Sequence, residues 1–307
     1  MGGDRKAARL VRRLVKHHFG SKPFRVVCQP GGLTNLVFTV HHPEGDLIVR
    51  VSPEAEKIST FMKEQWAITK ARKSGVPVPD VLEVDNEVIP MPYMIARKSK
   101  GREAALHPER LKIVREMGHH AAIINRIPTS GFGATFELSK NQLSRNATWR
   151  EFLKNELKLE ECLHSLKSSG ILAPRTIKAL RTTLERAAGE GRRPALNHGD
   201  LRLKNVLVDE KGKIVCILDW EHCASNLAPE WEMSLALHDL SIDEKQEFIE
   251  GYGLDGDRFS AIARVVKAIN LVNYAHMVEK NVHKNETAQL DRYRMRFQGH
   301  LDLFCFG

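Results

Sequence analysis

The sequence is poor in cysteine, in aromatic residues and in long apolar runs. Its five cysteines, Cys28, Cys162, Cys216, Cys223 and Cys305, are widely spaced and form no CxxC pair. That speaks against a disulfide scaffold or a zinc ribbon and predicts reduced thiols in a cytoplasmic setting. No apolar stretch approaches the roughly 20 residues needed to cross a bilayer, so no membrane partner is expected. The opening MGGDRKAARLVRRLVKHHFG has charge but neither an apolar core nor a small-residue cleavage site, unlike a secretory signal. Lys6 stands where a myristoylation signal carries Ser or Thr. There is no internal repeat and no low-complexity tract. The 307 residues, 42% hydrophobic and 28% charged, are enough for two domains or one large bilobal one.

Positive charge is what the chain has in excess. The net formal charge is +9, but residues 222–307 hold 13 acidic against 9 basic residues, so residues 1–221 carry +13. The excess is spread over many segments and comes with no RNP, zinc-finger or basic-zipper pattern. A nucleic-acid partner is therefore not expected, whereas a polyphosphate site would add to the same bias. The sequence is silent on oligomeric state.

Hydrophobic periodicity divides the chain. Residues 5–19 carry Leu10, Val11, Leu14, Val15 and Phe19 at helical spacing with a basic outer face. The runs 24–29, 36–41 and 46–51, rich in β-branched and aromatic residues, read as strands joined by PGGLTN and HPEG turns. A helix over 54–74 stops at the Gly75–Pro79 segment, and 80–85 and 92–97 read as two more strands. Beyond the polar stretch 98–103 the pattern turns helical: 108–125, 148–168, 174–190, 229–240, 243–251, 257–280 and 286–304. A single hairpin, 205–209 and 213–218, is embedded there. The prediction is an α+β chain with a small antiparallel-sheet lobe holding one helix at 1–97 and a larger, mainly helical lobe at 98–307 that holds the hairpin.

The chemistry lies in HGDLRLKNVLVDEKGKIVCILDWE, residues 198–221. With the turn at Lys211-Gly212, strand pairing sets Asn205 beside Asp219 at the open end of the hairpin, and Asp200 lies five residues before Asn205. An amide oxygen and one or two carboxylates at a strand end make a hard, oxygen-rich site suited to Mg²⁺, which shares its shell with water and phosphates. Phosphoryl transfer to a hydroxyl needs this set: one Asp to accept or orient the acceptor proton, an Asn and a second Asp to hold magnesium against nucleotide phosphates.

His198-Gly-Asp200, Asn205 and Asp219-Trp-Glu221 together resemble the aminoglycoside phosphotransferase and choline kinase family, the small-molecule branch of the protein-kinase-like fold. DWE in place of DFG points to that branch. Met117-Gly118 through Gly131-Phe132-Gly133 resembles its helix-then-GFG segment, Asn125 stands where many members have His, and Trp231-Glu232 resembles its Trp-Asp with Glu for Asp.

The resemblance implies a bilobal kinase-like fold and a small-molecule phosphotransferase using ATP or GTP and Mg²⁺. It implies Asp200 as catalytic base, Arg202 near the transferred phosphate, and Asn205 and Asp219 as metal ligands. Gly31, Gly32, Thr34 and Asn35 lie where a phosphate-covering loop belongs. Arg50 stands where the third strand of the family carries a lysine, with Glu64 as its ion-pair partner, and the backbone of Ile95, Ala96 and Arg97 would meet the base. His198 reads as a loop-holding residue rather than an acid or base. Glu221 stands open between a magnesium or acceptor contact and a structural role.

The acceptor stays open. Glu230, Glu232, Asp239, Asp243, Glu244, Glu247 and Glu250 offer an acidic pocket for a polycationic antibiotic such as an aminoglycoside, and a solvated helix face explains them equally. Trp220, Trp231, Tyr252, Tyr274 and Tyr293 would serve an aromatic cage for a choline-type acceptor. A macrolide would need an apolar cleft. A housekeeping sugar, amino-alcohol or amino-acid kinase, and an inactive nucleotide-binding relative, complete the alternatives.

Overall fold

A computed structural model describes residues 2–20, 22–30, 35–143, 146–189, 192–283 and 295. In chain order the elements are α1 (Gly2–Phe19), β1 (Arg25–Cys28), β2 (Leu36–His41), β3 (Leu47–Val51), α2 (Lys57–Lys73), β4 (Asp80–Asp85), β5 (Tyr93–Arg97), β6 (Arg102–Glu103) and α3 (Arg110–Ile124). There follow β7 (Phe136–Glu137), β8 (Gln142–Leu143), α4 (Trp149–Asn155), α5 (Leu159–Ser168), α6 (Pro174–Arg186), β9 (Ala195–Asn197), β10 (Val206–Val208), β11 (Ile214–Ile217) and β12 (Ala224–Asn226). The chain continues through α7 (Glu230–Ala236), α8 (Ile242–Tyr252), α9 (Gly256–Asn273) and α10 (Ala275–His283). Two compact units result: Met1–Ile113 with Leu138–Asn141 and Leu203–Cys223, and Val114–Glu137 with Gln142–Arg202 and Ala224–Gly307.

In the first unit an antiparallel sheet runs in the order β1-β2-β3-β5-β4. Alternation along β3 sorts its side chains: Leu47, Val49 and Val51 are buried and pack with Val11, Leu14 and Val15 of α1, while Arg50 points to the other face. There it meets α2, whose Phe61, Glu64, Ala67 and Ile68 are buried. Helix α1 buries one stripe and exposes the opposite one, as its heptad-like spacing predicts. The hairpin β10–β11 belongs to this unit and gains a third strand, β6. Its register pairs Val206 with Ile217 and Leu207 with Cys216, and a bulge at Val215 then shifts Val208 onto Ile214.

The second unit is helical. Trp149, Phe152, Leu163, Leu166, Leu184, Ile269 and Val272 are among its core. Two expectations change here. The helix expected over 148–168 is two helices, α4 and α5, with Lys158 between them in the left-handed region (φ 52°). The cause is tertiary: the carboxylate of Glu156 accepts from Ala134 N (2.5 Å) and Asn146 Nδ2 (2.9 Å), which pulls the chain out of helix. The helix expected over 257–280 is likewise divided at Tyr274 into α9 and α10. The helix expected over 286–304 lies outside the described residues, Met295 apart.

Helices α3 and α8 cross at nearly touching distance through two glycines. A Cβ built on Gly118 would sit 2.1 Å from Phe248 O, and one on Gly251 would sit 1.9 Å from Arg115 O. Backbone cannot yield to such a contact as a flexible side chain can. Gly118→Ala and Gly251→Ala should each lower stability by about 1–3 kcal/mol or more, read as a fall in the midpoint of thermal unfolding. An unchanged midpoint in either variant would mean that the crossing is looser than described.

Candidate active site

The first unit holds a buried ion pair. Arg50 on β3 donates from Nη1 to Glu64 Oε2 (2.6 Å) and from Nη2 to Glu64 Oε1 (3.1 Å). Its guanidinium lies 5.0 Å from the centre of the Phe61 ring, and Nη1 is 3.9 Å from Met94 Sδ. A fork, a flat stacking face and a permanent charge are properties of arginine that lysine lacks, which accounts for Arg at this position. Burial works against the charge on Arg50, but Glu64, then Glu221 and Asp219, more than restore it. Glu64 is 1% exposed, so it cannot be left without this partner at low cost.

Glu221 joins the pair. Its Oε2 is 3.8 Å from Arg50 Nη2, and its Oε1 accepts from Lys57 Nζ at the start of α2. Burial would raise the Glu221 carboxyl, yet Lys57 and Arg50 hold it below the usual range. The role left open for Glu221 is thus filled at least by an ion-pair link from the DWE segment to α2. Lys57 was not singled out in the sequence, because its partner lies 164 residues away.

At the open end of the hairpin Leu218 N donates to Asn205 O (2.7 Å), so Asn205 and Asp219 are neighbours there. Asn205 ends a 3-10 turn, Leu203–Asn205, and is buried. Asp219 is in the left-handed region (φ 63°, ψ 64°), a conformation that costs a non-glycine residue free energy and is commonest at functional sites. One amide oxygen and one carboxylate fit Mg²⁺, which needs few protein oxygens. Among the described residues, no three His, Cys, Asp or Glu side chains group to hold a metal by themselves.

The other nucleotide residues are placed as follows. Ile95, Ala96 and Arg97 close β5, which lies between β3 and β4, and the next residue, Lys98, donates its N–H to Asp46 O (2.8 Å). Asn35 is buried immediately before β2. Gly31, Gly32 and Thr34 lie outside the described residues.

The second unit holds the loop of Asp200. Strand β9 enters it, paired with β12 through Asn197–Ala224 and Ala195–Asn226. Gly199 takes a positive φ (79°), and Asp200 N donates to His198 Nδ1 (3.2 Å). His198 therefore holds the loop through its ring. Arg202 Nε donates to Asp200 Oδ1 (2.5 Å), and its Nη1 donates to Asp239 Oδ2 (3.1 Å). Below the loop lies Glu232, fully buried, whose carboxylate accepts from His198 N (2.5 Å). The longer side chain in place of Asp thus still reaches the loop backbone. Burial pushes its carboxyl up to about 7, the N–H groups of His198 and Gly199 pull it down, and Asp200 adds to the rise. Asn125 also steadies this region: its Nδ2 donates to Leu196 O (2.9 Å), and Tyr252 Oη donates to its Oδ1 (3.1 Å).

The acidic residues of α7 and α8 are mostly engaged within the unit. Arg192 grips Glu230 with both terminal nitrogens (2.5 and 2.8 Å), and Arg115 bridges Glu247 (2.8 Å) and Glu250 (3.0 Å). Glu244 completes a capping box with Ser241, and Asp239 pairs with Arg202. Four carboxylates of residues 222–307, Glu230, Asp239, Glu247 and Glu250, are thus paired with Arg115, Arg192 and Arg202, which precede that stretch.

A family model described as the phosphotransferase enzyme family matches residues 29–263. The chain belongs to the phosphotransferase enzyme family. Solved structures agree in fold. A thermostable mutant of aminoglycoside phosphotransferase APH(4)-Ia, in ternary complex with AMP-PNP and hygromycin B, is 18% identical, with 97% of this chain and 99% of that chain covered at a TM-score of 0.68. A candidate fructosamine-3-kinase from Thermobifida fusca is 19% identical, covering 92% and 97% at 0.59. Macrolide 2'-phosphotransferase MphH from Brachybacterium faecium, as apoenzyme, is 15% identical, covering 92% and 96% at 0.58. No curated protein sequence matches the chain. The expected kinase-like α+β fold is thereby established, at identities that speak for fold alone.

Glu232 sets a pH dependence of stability within this phosphotransferase fold. Its folded value of about 7 lies above the ordinary 4.5, so the folded state binds a proton more tightly than the unfolded one. Stability from this residue is complete below about pH 4.5 and declines until about pH 7, by about 3 kcal/mol in all. Glu232→Gln keeps a carbonyl oxygen for His198 N and removes the titration. Unfolding free energies of the two proteins, measured from pH 4.5 to 8, should converge or cross as pH rises; parallel curves would refute the assignment.

Proposed function

We propose that this phosphotransferase moves the γ-phosphate of ATP or GTP to a hydroxyl group of a small molecule, with Mg²⁺ as the metal. One observation carries the reading: the hairpin register makes Asn205 and Asp219 neighbours, and Asp200 precedes Asn205 by the five residues that a phosphoryl-transfer loop uses. Residues 1–97 are assigned the nucleotide, and residues 98–307 the catalytic loop and acceptor.

In this reading Asp200 accepts or orients the proton of the acceptor hydroxyl. Its carboxylate is aimed by Arg202, which donates to it from Nε and whose guanidinium also offers charge toward the transferred phosphate. Asn205 and Asp219 would hold Mg²⁺, which when bound supplies charge neutralisation for the phosphate oxygens. Arg50, fixed by Glu64, faces the phosphates, with Gly31, Gly32, Thr34 and Asn35 as the covering loop and the end of β5, Ile95–Arg97, as the wall for the base. The transition state of phosphoryl transfer is loose, so positioning and fixed charge do most of the work and a weak base suffices.

Neighbouring folds bind or are named for an aminoglycoside, a fructosamine and a macrolide, and the acceptor here is assigned to the same broad class, an antibiotic or a sugar-like metabolite. The engaged state of Glu230, Glu244, Glu247 and Glu250 favours an acceptor with few ammonium groups over a polycation.

Transfer from ATP and from GTP with Mg²⁺ to a panel of macrolides, sugars, choline, amino acids and aminoglycosides, read by mass, tests the reading. One compound should gain one phosphate. Asp200→Ala should reduce that turnover by about 10²–10⁴-fold while nucleotide affinity stays within a few fold. Turnover that survives the substitution would remove Asp200 from the base role.

A further inference from the structure

Helix α1 presents a surface that the phosphotransfer reading leaves unused. Between Arg5 and Lys16 there are six cations, Arg5, Lys6, Arg9, Arg12, Arg13 and Lys16, and no acidic residue. All six are exposed. At 100° per residue they fall within an arc of about 120° and run for about 16 Å along the axis. The opposite side of the helix is sealed: Val11, Leu14 and Val15 are 0% exposed against the sheet. The basic face therefore cannot roll away from solvent.

These cations are left without acids in a unit that pairs many of its others. Lys22 has Glu44, Arg72 and Arg97 share Asp80, Lys98 has Asp46, and Lys57 has Glu221. Among the described residues no ion pair joins the six. Glu83, which meets the last turn of α1, is taken by His18 Nδ1 (3.0 Å) and by the Tyr93 hydroxyl (2.9 Å). Six like charges held on one arc repel one another, and a polyanion laid along the helix relieves that repulsion.

We propose that the outer face of α1 is a docking surface for the phosphate backbone of a nucleic-acid duplex, independent of base sequence. The diffuse charge of the sequence had argued against a nucleic-acid partner; the fold gathers part of it into one stripe. A duplex carries a charge every 1.7 Å or so along its axis, enough to meet every cation of a stripe about 16 Å long. A lipid surface fits less well, because amphipathic helices that bind lipid insert their apolar side, and here that side is spent on the sheet. The stripe carries no Tyr, Trp or Phe on which bases could stack, so contact is with phosphates and carries no base readout.

The test is fluorescence anisotropy with labelled 20-base-pair DNA and RNA duplexes of unrelated sequence, from 50 to 200 mM salt, using the whole protein. Wild type should bind all of them alike, with a log–log salt slope of about −4 to −5, as four to six neutralised phosphates require. The quadruple substitution Arg9→Gln, Arg12→Gln, Arg13→Gln and Lys16→Gln should flatten the slope by about 3 to 4 and weaken binding at 50 mM salt by about 100-fold or more. A control with the same charge loss elsewhere, Lys73→Gln, Lys154→Gln, Arg175→Gln and Lys178→Gln, should bind as wild type does. Phosphate transfer should be unaltered in both, which separates this proposal from the assignment of the active site. No duplex binding by wild type at 50 mM salt, equal loss in both variants, or binding to phosphatidylserine vesicles in place of duplex would each overturn it.

Discussion

A guanidinium on the inner face of a sheet must find an acid, and in the first unit the pair Arg50–Glu64 satisfies that need. Its two parallel hydrogen bonds fix the angle of α2 against β3, and the Phe61 ring limits where the guanidinium can move. From that pair the ionic contacts spread outward to Glu221 and Lys57. Strand, helix and the DWE segment are thereby tied through side chains that could not be separated singly without stranding a buried charge. The hairpin end that carries Asn205 and Asp219 is held in the same unit.

The helical unit solves the matching problem for Asp200 in another way. Its loop is supported from below by one buried carboxylate and from the side by an imidazole, both bonded to main-chain N–H groups. Loop backbone that runs through a protein interior must be satisfied by something, and Glu232 does this while burial raises its carboxyl. The resulting sensitivity to pH comes from the same burial that gives the loop its shape.

Much of this was legible in residue order. The hairpin, the register that sets Asn205 beside Asp219, the partnership of Arg50 with Glu64 and the loop-holding role of His198 all rest on local spacing or on the family pattern. What was not legible depends on partners far apart in sequence. The carboxylates of α7 and α8 looked available because Arg115 and Arg192 are remote from them, and Lys57 drew no notice because Glu221 is remote from it as well. The break at Lys158 follows from Glu156 reaching Ala134 and Asn146, a demand that helical periodicity in 148–168 cannot reveal. The short strands β9 and β12 are too brief for an alternating pattern to mark.

The crossing of α3 and α8 bears on where the Asp200 loop is placed. Gly118 and Gly251 bring two main chains together with no side chain between them, so the helices cannot slide or tilt independently and behave as one plate. Asn125 adjoins the end of one helix and Tyr252 closes the other, and their mutual hydrogen bond continues into Leu196 on β9. The plate thus acts as a datum from which the strand is measured. The loop leaves the plate past Asn197, and Gly199, the first residue there with a left-handed backbone, turns it into Asp200.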